Sequence, residues 1–181
     1  MDVLAFIIMT VTLLALVIAF TWYMDYYTSM NLLNTANYVG SLVSSALKHE
    51  FETAISIASF SNVVGTFNFT LILPTSAFPT QGLAINYNIT LYSQTVSGSD
   101  VKELMADIVV AASIGPITRI TNTTILLYSS AQPYTIEAYN CINSPNSPIT
   151  LISPSASSLG KCTWDGSVIQ LGRAVISISK G

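Results

Sequence analysis

Few side chains in this sequence are equipped for chemistry, and each group has a plainer alternative. His49, the single histidine, stands between Lys48 and Glu50; with no second histidine or nearby cysteine it is read as a surface residue rather than a base or a zinc ligand. Asp100, Glu103 and Asp107 are close enough to suggest paired carboxylates or a cation site. Glu103 and Asp107 share a face whether the segment is helical or extended. Without the glycine-containing pattern of a calcium loop, the expectation is a solvated edge. Neither a glycine-rich phosphate loop nor a G-x-S-x-G elbow occurs. No catalytic residue, metal or cofactor is therefore expected, and the chain reads as a non-enzyme.

Two kinds of covalent chemistry are written in the sequence. Cys141 and Cys162 are the only cysteines, and an even pair in an exported chain forms a disulfide, two separate buried thiols being the alternative. Closing that Pro- and Ser-rich loop is worth roughly 3 kcal/mol in the loop-entropy model. The acceptor pattern N-x-S/T occurs at Asn68, Asn88 and Asn122. Asn68 and Asn88 fall on the polar faces of alternating segments, so glycans there would meet solvent, with Thr70 and Thr90 facing solvent beside them; apolar residues follow Asn122 on both faces.

The composition limits the partners. Of 181 residues, 51% are hydrophobic and only 8% are Asp, Glu, Lys or Arg, against about a quarter in ordinary soluble domains. Apolar surface must be covered by lipid or by other copies, or uncharged polar groups must supply the solubility. The net charge is −3 and the six basic residues, Lys48, Lys102, Arg119, Lys161, Arg173 and Lys180, are scattered. Nucleic acid is excluded as a partner on that ground.

The elements that carry these residues begin with a charge-free run from Val3 to Met24, bracketed by Asp2 and Asp25. As a helix it covers roughly 33 Å, enough to cross the ~30 Å hydrocarbon core of a bilayer. Trp22, Tyr23, Tyr26 and Tyr27 cluster at its far end, where amphipathic rings suit a membrane–water interface. A single-pass anchor is the plain alternative, yet no Lys or Arg precedes the run, and anchors carry positive charge on their cytoplasmic side. A secretory signal would also need a basic start; cleavage after Ala19 stays open. Prior removal of a basic leader, which would make Met1 a processed terminus, is the simpler expectation.

The helix is expected to continue past Asp25. Met30, Leu33, Ala36, Gly40, Val43, Leu47, Phe51, Ala54 and Ala58 recur every three or four residues. Asn31, Asn34, Ser41, Ser44, Ser45, Lys48, Glu52 and Ser56 form the polar face between them. One helix of about 85 Å thus occupies residues 1–59, apolar all round over 1–25 and one-sided beyond, its stripe lying on its own head.

Residues 60–181 change to period-two texture broken by Pro, Gly, Asn and Ser. Expected strands are Val64–Leu73, Leu83–Ser93, Val101–Ala112 (helical spacing is the alternative there), Ile117–Ser130, Tyr134–Asn140, Ile149–Ser153 and Ser167–Ser179. The continuous run Ile125, Leu126, Leu127 suits a central strand covered on both faces. The fold class is α+β: one long hydrophobic then amphipathic helix, followed by an antiparallel, immunoglobulin-like β-sandwich head.

A short polar start, about 22 apolar residues running into an amphipathic helix, and a Thr-, Ser- and Asn-rich β head together resemble the archaeal type IV pilins. The resemblance implies an extracellular filament of identical subunits that leave the membrane to pack their hydrophobic helices into its core. Val3, Leu4, Phe6, Ile7, Leu13, Leu14, Leu16, Val17, Phe20 and Trp22 would make that packing. It also implies adhesion to surfaces or cells. Ala5 departs from the Glu common at the fifth mature position of bacterial type IV pilins. Archaellins share the plan, but the segment VLAFIIMTVTLLALVIAF lacks a Gly-rich start, which favours a pilus; a lone membrane-anchored binding module is the other alternative.

Overall fold

A computed structural model of the chain describes residues 3–60, 65–72, 82–97, 101–129, 134–144, 146–154, 159–165 and 173–180. Asp2, Asp100 and the expected strand ends Val64, Leu73, Ser130 and 167–172 lie outside them. One α-helix, α1, runs unbroken over Val3–Ser59, about 85 Å at helical rise. Among the described residues it is followed by eight strands: β1 Gly65–Ile72, β2 Leu83–Thr95, β3 Lys102–Ile114, β4 Ile117–Ser129, β5 Tyr134–Tyr139, β6 Ile149–Ile152, β7 Lys161–Asp165 and β8 Arg173–Lys180. They pair antiparallel throughout, in two four-stranded sheets of order β1-β8-β5-β6 and β4-β3-β2-β7.

Strict alternation produces these sheets. In β2, Ile85, Tyr87, Ile89 and Leu91 are buried, and in β3 Leu104, Ala106, Ile108, Val110 and Ala112 are buried, while the residues between them face outward. Period two wins over helical spacing in residues 102–114 because it places every second apolar side chain of β3 against the core. The β3–β4 hairpin turns on Gly115-Pro116, with Ile114 opposite Ile117. Gly115 takes a positive φ of 55°, which a glycine adopts without a Cβ penalty, and proline presets the next residue.

The sandwich is open along one side, and the helix fills the opening. At the closed side β6 approaches β2, β3 and β7; at the other, α1 touches β3 and β4 of one sheet and β1 and β8 of its partner. Leu32, Ala36, Val39, Gly40, Val43, Leu47, Phe51, Ala54 and Ala58 are the buried stripe, continuous with the core of both sheets. Burying each large apolar member contributes about 1.5–3 kcal/mol. Gly40 sits close against the sheet: a Cβ there would lie 3.6 Å from Val110 Cγ2 and 3.7 Å from Thr123 Oγ1.

Four expectations change. Leu32, not Met30, begins the buried stripe, and Met30 is exposed, because it lies about 200° around the helix from Leu32, turned away from the sheets. Ser44, assigned to the polar face, is buried and donates its hydroxyl to the Gly40 carbonyl at 2.7 Å. β4 is an edge strand rather than a central one. Its apolar run instead carries a β-bulge: Leu104 pairs with Tyr128 and Met105 with Leu126, so the extra residue Leu127 also turns inward while Leu126 stays exposed. Finally, β7 had no counterpart among the expected strands, although Lys-Cys-Thr-Trp-Asp alternates exposed and buried positions.

The closed side is pinned covalently. Cys141, just after β5, is bonded to Cys162 on β7, with Cα atoms 5.3 Å apart and both side chains buried. Trp164 Nε1 donates to the Tyr139 carbonyl at 2.9 Å, the Ile142 amide to Thr163 at 2.9 Å, and the Gly160 amide to Thr150 at 2.8 Å. The bond therefore ties one sheet to the other at the edge farthest from the helix. Replacing both cysteines with serine is expected to lower head stability by roughly 3 kcal/mol and to speed amide exchange first in β7. Urea denaturation with exchange mass spectrometry checks this; unchanged stability, or faster exchange in β3 before β7, would refute it.

Candidate functional site

The surface that sets this chain apart is the front of α1. Every residue from Val3 to Tyr27 is exposed. Val3, Leu4, Phe6, Ile7, Leu13, Leu14, Leu16, Val17, Phe20 and Trp22 are each 53% to 78% exposed, so no part of the head covers the expected packing residues. The most apolar 18-residue stretch has a mean hydropathy of 2.9, long and apolar enough to cross a membrane. The threonine hydroxyls of the charge-free run Val3–Met24 are internally satisfied: Thr10, Thr12 and Thr21 donate to the carbonyls of Phe6, Ile8 and Val17 at 2.8, 2.7 and 2.7 Å. A segment built this way asks for no water along its length.

Its upper boundary is marked by aromatic rings and then by a clamp. Trp22 stacks on Tyr26 and Tyr23 on Tyr27, with centroids 6.1 and 6.4 Å apart. One turn above, β4 takes hold: Arg119 Nη2 donates to Ser29 Oγ at 2.9 Å, and Thr121 Oγ1 to Asn37 Oδ1 at 2.7 Å. These polar ties were not legible in the sequence, because they join residues more than eighty positions apart. The buried stripe starts just beyond, at Leu32, so the exposed segment is rigidly continuous with a helix embedded in the head.

The three acceptor asparagines are all exposed, in two places. Asn68 lies on β1, opposite Ser177 of β8. Asn88 and Asn122 share one rung of the other sheet, on either side of Val109. Thr70 is exposed as expected, whereas Thr90 is half-buried because its hydroxyl meets that of Thr163 on β7 at 3.0 Å.

The carboxylates expected at a solvated edge occupy the same outer face. Gln94 Nε2 donates to Glu103 at 3.1 Å, and Thr124 donates to Asp107 at 2.7 Å. Burial and then the Asp107 carboxylate hold the Tyr92 hydroxyl above its ordinary pKa, while the Lys161 ammonium sits 5.7 Å from the Tyr92 ring centre. Among the described residues no group of three His, Cys, Asp or Glu side chains is placed to hold a metal ion. His49 is exposed, with its carbonyl accepting from Thr53 at 2.8 Å. The nearby pair of Lys48 and Glu52, 3.9 Å apart and well exposed, adds little stability.

No protein-family model matches this chain, and neither a curated protein nor a solved structure matches it.

One buried group leaves a measurable mark on the head. The Tyr128 hydroxyl is enclosed without a hydrogen-bond partner among the described residues, its ring tilted against Tyr134 at 6.3 Å. Burial first, and the Tyr134 hydroxyl second, push its pKa up to about 12. A raised folded-state pKa means the associated stability is intact below the unfolded value near 10 and is lost as pH rises toward about 12. Tyr128→Phe should flatten that alkaline loss and cost no stability at pH 7, since an unpaired buried hydroxyl is removed. Denaturant midpoints from pH 7 to 12 test both; a destabilised Phe variant at pH 7 would show the hydroxyl to be partnered.

Proposed function

We propose that this protein is a structural subunit of an extracellular type IV-like pilus, inserted in the membrane before assembly and packed afterwards through the front of α1 into a core of identical helices. The single observation that carries this is the geometry of one helix with two regimes. From Leu32 to Ala58 its stripe is sealed into the head, and from Val3 to Tyr27 it is bare on every side. A surface apolar all round needs neighbours on all sides. Lipid supplies them to a single subunit, and other copies supply them in a fibre. The rigid join between the regimes is what a polymer needs, because it transmits the packing of the core to the position of each head.

Such a subunit performs no catalysis; its work is to present the head, and contact with surfaces or other cells is the role a displayed fibre of this kind would serve. The expected experiment is substitution in the core. Leu13→Asp or Leu16→Asp places an unpaired charge among apolar neighbours, which costs several kcal/mol and should abolish fibres seen by electron microscopy while the head stays folded. Fractionation of the variant with membranes separates failed assembly from failed insertion. Normal fibres from a variant that inserts would refute the proposal.

With so few charges, solubility of the fibre is proposed to come from glycans on Asn68, Asn88 and Asn122, all of which stand clear of the core. Glycans are bulky and solubilising, and a pair on one rung would cover the middle of the β4-β3-β2-β7 face. Peptide mass spectrometry of assembled fibres should find excess mass at these sites. Unmodified peptides at all three would leave the hydroxyl- and amide-rich surface as the source of solubility.

A further inference from the structure

Asn68 and Asn88 are both exposed, yet the strands that carry them are held very differently. Asn68 lies on β1, an edge strand whose one partner among the described residues is β8, and Thr70, two residues on, is exposed. Asn88 lies on β2, inside its sheet, opposite Val109 of β3 on one side and Asp165 of β7 on the other. Thr90, two residues on, is half-buried, and its hydroxyl meets that of Thr163 at 3.0 Å. Leu91, the next residue, stands opposite Cys162. The disulfide to Cys141 therefore fastens β7 against β2 one position from that hydroxyl pair.

N-glycosylation asks more of a site than an exposed side chain. The Asn amide nitrogen bonds to the anomeric carbon of a sugar carried on a lipid diphosphate. The bond from that carbon to the phosphate oxygen breaks, its electron pair leaves with the phosphate, and the amide gives up one proton. The acceptor pattern requires a hydroxyl two residues on, so the enzyme must grip both side chains and the backbone between them. Neighbouring strands about 4.8 Å away on either side of β2 leave no room to enclose that tripeptide, and the Thr90 hydroxyl is already engaged. To react, β2 must come out of the sheet and break its pairing with both β3 and β7. β1 needs to part from one neighbour, and edge segments open at lower free energy than central ones. The finished product meets no such obstacle, because a glycan on Asn88 stands out into solvent.

We infer that Asn88 accepts a glycan only before β7 docks on β2, so that closure of the Cys141–Cys162 bond ends its modification, whereas Asn68 stays open to modification in the folded head. This rests on the glycan reading and adds an order to it: Asn88 is modified before the sheet closes, Asn68 before or after. A chain oxidised before it meets the transferase would carry a sugar at Asn68 and a bare amide at Asn88.

The experiment uses the full chain, made without glycosylation, dispersed in detergent with its disulfide intact and incubated with a purified oligosaccharyltransferase and its lipid-diphosphate-linked oligosaccharide. Peptides spanning residues 65–72 and 83–93 serve as unfolded acceptors, and mass spectrometry follows occupancy at each asparagine. Relative to the matching peptide, the folded chain should react at least about tenfold more slowly at Asn88 than at Asn68. Replacing Cys141 and Cys162 with serine should raise the Asn88 rate at least about threefold and leave the Asn68 rate unchanged. Should that variant not fold, the comparison within the unsubstituted chain decides alone. Equal relative rates at the two sites, or refusal of both, would overturn the inference and leave the glycan reading in place. An Asn88 rate unmoved in a folded serine variant would overturn the part given to the disulfide. Peptides that accept no sugar, together with bare asparagines in native fibres, would overturn the glycan reading and this inference together.

Discussion

The insertion of the helix stripe between two splayed sheets is the interaction on which the rest of this structure depends. β4 and β1 are edge strands, and an open sandwich between them would expose the inner faces of β3 and β8. Leu32, Val39, Val43, Leu47 and Phe51 fill that opening. The stripe is therefore part of the head's core and not a stalk leaning against it. Helix–coil equilibria alone would not hold a segment this long straight in water; tertiary burial of one face does.

That same burial divides the labour along the molecule. Because the rear of α1 cannot move without opening the sandwich, the front projects as a stiff rod whose surroundings must come from outside the chain. The far edge carries the complementary constraint, where Cys141–Cys162 and the Trp164 hydrogen bond hold the two sheets together. Helix on one side and disulfide on the other leave the sheets little freedom to slide.

Low charge is consistent with this plan rather than a defect in it. The outer face of β4-β3-β2-β7 presents Asn86, Asn88, Asn122 and Thr124 with Glu103 and Asp107 engaged by neighbouring side chains. Hydration rests mainly on amides and hydroxyls, whose desolvation costs less than that of ions. Exposed ion pairs such as Lys48–Glu52 contribute little here.

Local periodicity was enough to read the helix to Ser59, the strand character of seven segments, and the bare apolar front, because each follows from side-chain spacing of 3.6 or 2 along a contiguous stretch. The pairing of Cys141 with Cys162 was legible because the sequence has these two cysteines and no others. Other features depend on contacts between distant residues and had no local signal. Leu32 rather than Met30 begins the buried stripe because the sheets meet the side of the helix that carries Leu32, and Met30 lies about 200° around from it. Ile125, Leu126 and Leu127 look like a central strand in sequence, yet the bulge opposite Leu104 and Met105 lets an edge strand use the same run. β7 is only five residues long and gains its identity from pairing with β2. Asn88 and Asn122 share a rung solely through the register of β3 between them. Spacing along the chain determines which face of an element is apolar, but only the tertiary structure decides what that face meets, since register and sheet order are set by packing between elements far apart in sequence.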